Sequence, residues 1–182
     1  MGTLFVDKLD PQSGTSLEIG SSGDTITIPS GATIANSGTA TGFGGDNNPF
    51  FYAYLNSAQS PSTGAYTVVA LDAELYDTES KFDVSNYRFT PAVAGYYFLY
   101  AQVRIADGTD FNILEVVIRK NGSAISRART DHDDNGVTQA SVIVQSDTDD
   151  YFDIEVMQNS GSNRPLTTSY ENTYFMGYKL NT

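Results

Sequence analysis

Gly95-Tyr96-Tyr97-Phe98-Leu99-Tyr100-Ala101-Gln102-Val103-Arg104-Ile105 decides the fold of this chain. Read with the two-residue period of an extended strand, it has one face of Tyr97, Leu99, Ala101, Val103 and Ile105. The other face is Tyr96, Phe98, Tyr100, Gln102 and Arg104. Both are substantially apolar. One predicts packing inside a sandwich and the other asks for a second partner, because an aromatic surplus of this kind is typical of subunit interfaces. Tyr174, Met176, Tyr178 and Leu180 give the last strand a similar face. A homo-oligomer is expected.

Outward from this segment, strand-forming runs follow one another quickly. They are Phe50–Leu55, Tyr66–Leu71, Tyr87–Thr90, Tyr96–Ile105, Phe111–Arg119, Ala124–Thr130, Val137–Gln145, Tyr151–Met157 and Thr173–Leu180. Pro61-Ser62-Thr63-Gly64, Ala106-Asp107-Gly108, Asn121-Gly122, Asp134-Asn135-Gly136 and Ser160-Gly161-Ser162-Asn163 separate them as turns. In the run from Tyr151, Phe152, Ile154 and Val156 oppose Tyr151, Asp153 and Glu155, which reads as a one-sided strand. Many short strands punctuated in this way predict an all-β, antiparallel sandwich or jelly roll. Composition agrees: 12 Tyr and 10 Phe with only 18% charged residues is strand chemistry, so helix would be a surprise.

Residues 1–10 read as a short strand ending at Asp10-Pro11, and residues 12–45 as a Gly/Ser/Thr-rich thread. Within the thread an eight-residue repeat aligns Thr25, Thr33 and Thr41, Ile26 with Ile34, Ala32 with Ala40, and Gly23 with Gly31. Leu17, Ile19, Ile26, Ile28 and Ile34 are more than a flexible linker needs. The expectation is a shaft shared between chains, with residues 1–48 as anchor and shaft and 49–182 as head. Even fully extended, some 30 residues span only about 100 Å, so the shaft is short.

A net charge of −12 argues against nucleic-acid binding, which needs clustered Lys and Arg. With no cysteine, disulfides and thiolate metal sites are excluded, and oligomerisation is the expected source of rigidity. Met1 to Lys8 has no basic stretch followed by an apolar run, so a product made in a cytoplasm and not exported by the usual route is expected. No run approaches the ~20 apolar residues of a membrane span.

The site candidates are few. Asp131, Asp133 and Asn135, followed by Gly136, match the first half of a calcium loop, but Val142 stands where its closing Glu belongs. The competing reading is an acidic hairpin turn. Asp147, Asp149 and Asp150 form a second acidic turn with the same ambiguity. His132, the one histidine, has no serine or nucleophile elbow placed for it. Carboxylate pairs for glycan hydrolysis could come from Asp131, Asp133 and Asp134 or from Asp153 and Glu155, though proximity in sequence does not set the separation such chemistry requires. The expectation is no enzyme and no cofactor, with calcium the one candidate.

The blocks Phe51-Tyr52-Ala53-Tyr54-Leu55, Leu75-Tyr76-Asp77, Tyr87-Arg88-Phe89-Thr90-Pro91, Gly95-Tyr96-Tyr97-Phe98, Arg119-Lys120-Asn121-Gly122 and Phe175-Met176-Gly177-Tyr178-Lys179-Leu180 resemble the C1q/tumour necrosis factor-like jelly roll over roughly residues 49–181. That family's Gly-Asp before the penultimate strand is Asp149-Asp150 here, and Asp150 keeps the turn. The resemblance implies a trimer about a threefold axis that acts by binding, with calcium sometimes held near its top. The run from Gly23 to Ile34 is similar to segments of structural proteins of marine tailed phages, especially those of cyanobacteria, that precede an appendage head. Together they imply a homotrimeric virion appendage, a tail-fibre tip or a capsid or neck decoration. Its partners would be other virion proteins through the N-terminal segment and a host-surface glycan or receptor. A bacterial C1q-like adhesin outside any virion is the alternative, with a polysaccharide hydrolase behind it.

Overall fold

The computed structural model describes residues 9–38, 47–105, 112–131 and 136–180. The chain divides into two units, Met1–Thr41 and Gly42–Thr182. The larger holds eleven strands and, among the described residues, no helix: β1 (Phe50–Tyr54), β2 (Thr67–Val68), β3 (Ala73–Asp77), β4 (Phe82–Asp83), β5 (Arg88–Phe89), β6 (Gly95–Arg104), β7 (Ile113–Lys120), β8 (Ser123–Asp131), β9 (Val137–Ser146), β10 (Phe152–Gln158) and β11 (Tyr174–Lys179). One sheet runs β3-β1-β11-β6-β9; the other runs β4-β5-β10-β7-β8, with β2 on β10. Pairing between the strands is antiparallel throughout. This is the jelly roll that the turn spacing predicts.

Alternation decides which side chains fill the space between the sheets. Tyr97, Leu99, Ala101, Val103 and Ile105 are fully buried, as their face of β6 requires, and Leu114, Val116 and Ile118 of β7 meet Phe152, Ile154 and Val156 of β10 beneath them. Phe51 is the hub, stacking on Phe89 at 4.1 Å between ring centroids and meeting Phe175 edge-on at 5.0 Å. Each such ring contributes about 1.5–3 kcal/mol through burial. The β7–β8 hairpin closes on Asn121 and Gly122 with φ of 51° and 79°, the left-handed pair that a two-residue hairpin turn demands.

Three expectations need correction. Leu75-Tyr76-Asp77, absent from the expected strand runs, lies in the edge strand β3. The turn comes after it, at Glu79 and Ser80, where Asp77 Oδ2 accepts the Phe82 amide. A register shift opposite Tyr52 and Ala53 breaks the period-two pattern of β3, which is why alternation does not reveal it. Conversely, of the run Tyr66–Leu71 only Thr67–Val68 pairs as a strand. The polar face of β10 is the third correction: Asp153 is buried too.

In the smaller unit, residues 12–38 are solvent-exposed and carry no strand. Two tight turns interrupt the extended backbone, closed by Asp24 N to Ser21 O and Ala32 N to Pro29 O, each 3.0 Å. The strand expected over residues 1–10 falls mostly outside the described residues.

Candidate functional site

The solvent side of the β3-β1-β11-β6-β9 sheet is built in rows that the register fixes. Phe50, Tyr178, Phe98 and Ile143 lie opposite one another across β1, β11, β6 and β9. The next row runs Tyr76, Tyr52, Met176, Tyr100 and Ser141, and the third runs Tyr54, Tyr174, Gln102 and Gln139. The face therefore grades from wholly apolar to polar. Its rings pack in two groups: Tyr52 stacks on Tyr174 at 4.8 Å and Tyr174 on Tyr100 at 5.8 Å, while Phe98 leans on Tyr178 at 5.5 Å. At the polar end Gln102 Nε2 donates to the Glu171 and Asn172 carbonyls and Gln139 Nε2 donates to Gln102 Oε1. Ile143 remains 62% exposed and Tyr76 44%. A shallow groove of about 260 Å³ opens between Phe50, Tyr76, Met176 and Tyr178.

Crowding shows in the phenols. Burial raises the pKa of Tyr52 well above the ordinary value, and its neighbours Tyr174, Tyr76 and Tyr100 add to the effect. Tyr100 is pushed up to about 12 by burial and its hydrogen bond with Tyr174. Tyr97, in the core, reaches about 12 through burial and the charge of Glu79. A raised folded-state value means stability that is complete below the unfolded pKa of about 10 and lost as pH rises through the folded one. Tyrosinate absorbance should accordingly leave a group of tyrosines silent until about pH 12, with unfolding accompanying their titration. Uniform ionisation of all tyrosines near pH 10 would contradict the packed face.

The opposite sheet carries a lattice of charges that the sequence does not reveal. Arg119 grips Asp153 with Nε and Nη2 at 2.7 and 2.8 Å, and its Nη1 reaches Glu155 at 2.5 Å. Asp153 is 1% exposed. Arg88 lies over the Tyr151 ring at 4.0 Å with its Nε 3.6 Å from Asp153. Glu115 is likewise buried, accepting from Tyr66 Oη at 2.7 Å and pairing with Arg127 at 3.1 Å. Asp153 and Glu155, one of the candidate carboxylate pairs, are thus joined by a single guanidinium in a structural ion pair. Alternation placed these groups toward solvent; Asp153 is buried and Glu155 half-buried because Arg119 pairs with both.

Of the proposed metal ligands, Asp131 ends β8, exposed, and accepts from Arg129 Nε. Asp133 and Asn135 lie outside the described residues, as do His132 and Asp134. Among the described residues no three His, Asp or Glu are grouped to hold a metal ion. The second acidic turn is occupied structurally. Burial pushes Asp150 up, but Lys120, the Asp147 amide and Asn121 outweigh it and hold the carboxyl below its ordinary value.

A two-sheet jelly roll with one aromatic outer face is the architecture of C1q/tumour necrosis factor-like domains. Residues 50–180 match the C1q domain family, and the chain belongs to that family. Solved structures of the same fold include murine APRIL (TM-score 0.59, 15% identity, 72% of this chain and 98% of that one). Others are the globular domain of zebrafish complement 1qA (TM-score 0.55, 14% identity, 73% and 98%) and Eiger TNF from S. frugiperda (TM-score 0.52, 13% identity, 73% and 94%). No curated protein matches the sequence.

Proposed function

We propose that the protein is a non-catalytic, homotrimeric binding head, joined through its aromatic sheet face and presented by its N-terminal segment as a surface appendage of a tailed-phage virion. It would attach to a host-surface glycan or receptor, or decorate the capsid or neck. The observation that carries this reading is the row of Phe50, Tyr178, Phe98 and Ile143, an apolar band across four strands whose ends, Phe50 and Ile143, are 36% and 62% exposed. A surface of that kind marks an interface. Closure in threes is the arrangement that the family resemblance implies. The likeness of Gly23 to Ile34 to phage appendage segments supports the virion setting, and a cysteine-free chain suits assembly in a reducing cytoplasm.

Phe98→Asp tests the interface. It should leave a folded head, by circular dichroism, that light scattering finds monomeric at micromolar concentration where the parent is a trimer. Each copy loses about 1.5–3 kcal/mol of ring burial and gains a carboxylate to desolvate. A variant that stays trimeric would move the interface elsewhere. The virion setting is tested separately, by electron microscopy of phage particles labelled with antibody to residues 49–182. Absence of label on any particle would remove it.

A further inference from the structure

The repeat in the thread has a structural counterpart. Gly23 and Gly31 take φ of 94° and 88°, each at the third position of a turn closed by a 3.0 Å backbone hydrogen bond. A Cβ at either glycine would meet nothing within 4 Å, so backbone conformation alone demands glycine there. The two turns are eight residues apart, and they place Ile26 and Ile34 at equivalent points of the repeat. Thr25-Ile26-Thr27-Ile28, between the turns, alternates β-branched polar and apolar side chains as one strand of a ladder does.

That ladder is missing within one chain. Among the described residues the backbone–backbone hydrogen bonds of 21–36 are the two turn bonds. Ile26, Ile28 and Ile34 are 59%, 48% and 55% exposed. Fixing such a backbone costs about 1–2 kcal/mol per residue, and here no burial offsets it. Strands from other chains would supply the missing ladder.

Charge and period name the occupant. In a chain of net charge −12, residues 21–36 carry a single charge, Asp24, whose Oδ2 accepts the Ser21 amide within the first turn, and Thr25 to Gly45 carries none, so self-repulsion at contact is confined to that turn. Identical chains also share the eight-residue period, so turns and isoleucines coincide at every unit, whereas a foreign partner would need that period built in. We infer that residues 21–36 form a three-chain β-turn shaft in which Ile26, Ile28 and Ile34 of three copies meet around a common axis, with the Gly23 and Gly31 turns on the outside. The number three rests on the reading of the head above; the sharing of the isoleucines rests on the turns.

The absence of cysteine makes the test clean. Ile26→Cys and Ser22→Cys are made singly in the full chain, with Ile34→Cys and Ser30→Cys as the same pair one repeat later. Mild oxidation should link the isoleucine-position thiols between chains at least about tenfold faster than the turn-position thiols, because only the former are held within disulfide reach. The two pairs should give the same ratio. Equal rates at both kinds of position in a protein that light scattering finds trimeric would overturn the shaft and leave the trimeric head standing. A monomer in light scattering would overturn both.

Discussion

Asp153→Ala should cost the head about 3–5 kcal/mol of unfolding free energy, the usual penalty for removing one partner of a buried ion pair. Asp153 accepts two hydrogen bonds from Arg119 and neighbours Arg88 at 3.6 Å. Without it the Arg119 guanidinium, 14% exposed, keeps only Glu155, and the charge that offset its desolvation is gone. The measurement is urea unfolding of parent and variant at equal protein concentration, since association would otherwise shift the midpoint. A control isolates the cause. Joining Asp153→Leu to Arg119→Met removes both charges, and the pair should cost much less than Asp153→Ala alone. A loss below about 1 kcal/mol for Asp153→Ala would mean that the pair is solvated in solution.

Gly177→Ala is the second large effect, with a different cause. Its backbone is not left-handed; the constraint is space. A Cβ there would lie 2.5 Å from Leu99 Cδ2, 2.8 Å from the Phe98 carbonyl oxygen and 3.0 Å from Phe51 Cε1. Leu99 could turn aside, but the carbonyl belongs to the adjoining strand, where Gly177 pairs with Leu99. Strand β11 has neighbours on both sides, β1 and β6, so it has no free direction in which to move. Overpacking of this kind costs about 3 kcal/mol. The same strand holds Met176 and Tyr178 on the outer face, so assembly should weaken together with the melting temperature. An alanine variant that melts and associates like the parent would show that the two strands part easily.

What the sequence makes legible depends on whether a residue's neighbours lie along the strand or across it. The β6 faces are readable from Tyr96 to Ile105 because alternation is local, and burial of Tyr97, Leu99, Ala101, Val103 and Ile105 follows it residue by residue. The aromatic face is legible for the same reason, though its rows are not. That Phe50 stands beside Tyr178, and Tyr178 beside Phe98, is fixed by pairing between strands far apart in sequence. Asp153 and Glu155 defeat alternation because Arg119 reaches them from the neighbouring strand and substitutes for water. Strand β3 defeats it through the register shift opposite Tyr52 and Ala53. Of the half-calcium pattern, Asp131 alone of the three ligands lies among the described residues, where it pairs with Arg129 at the exposed end of β8.

The pairing of β1 with β11 also sets an order of events in time. Phe50 and Tyr178 are partners, so the first strand of the head waits, unpaired on that side, until nearly all the remaining head has been synthesised. Long-range closure of this kind is slow and exposes strand edges meanwhile. The apolar band of Phe50, Tyr178, Phe98 and Ile143 comes together only when β11 seats between β1 and β6. A chain whose β11 has not seated thus lacks the joined band, and an interface built on that band would admit only copies in which β11 is in place.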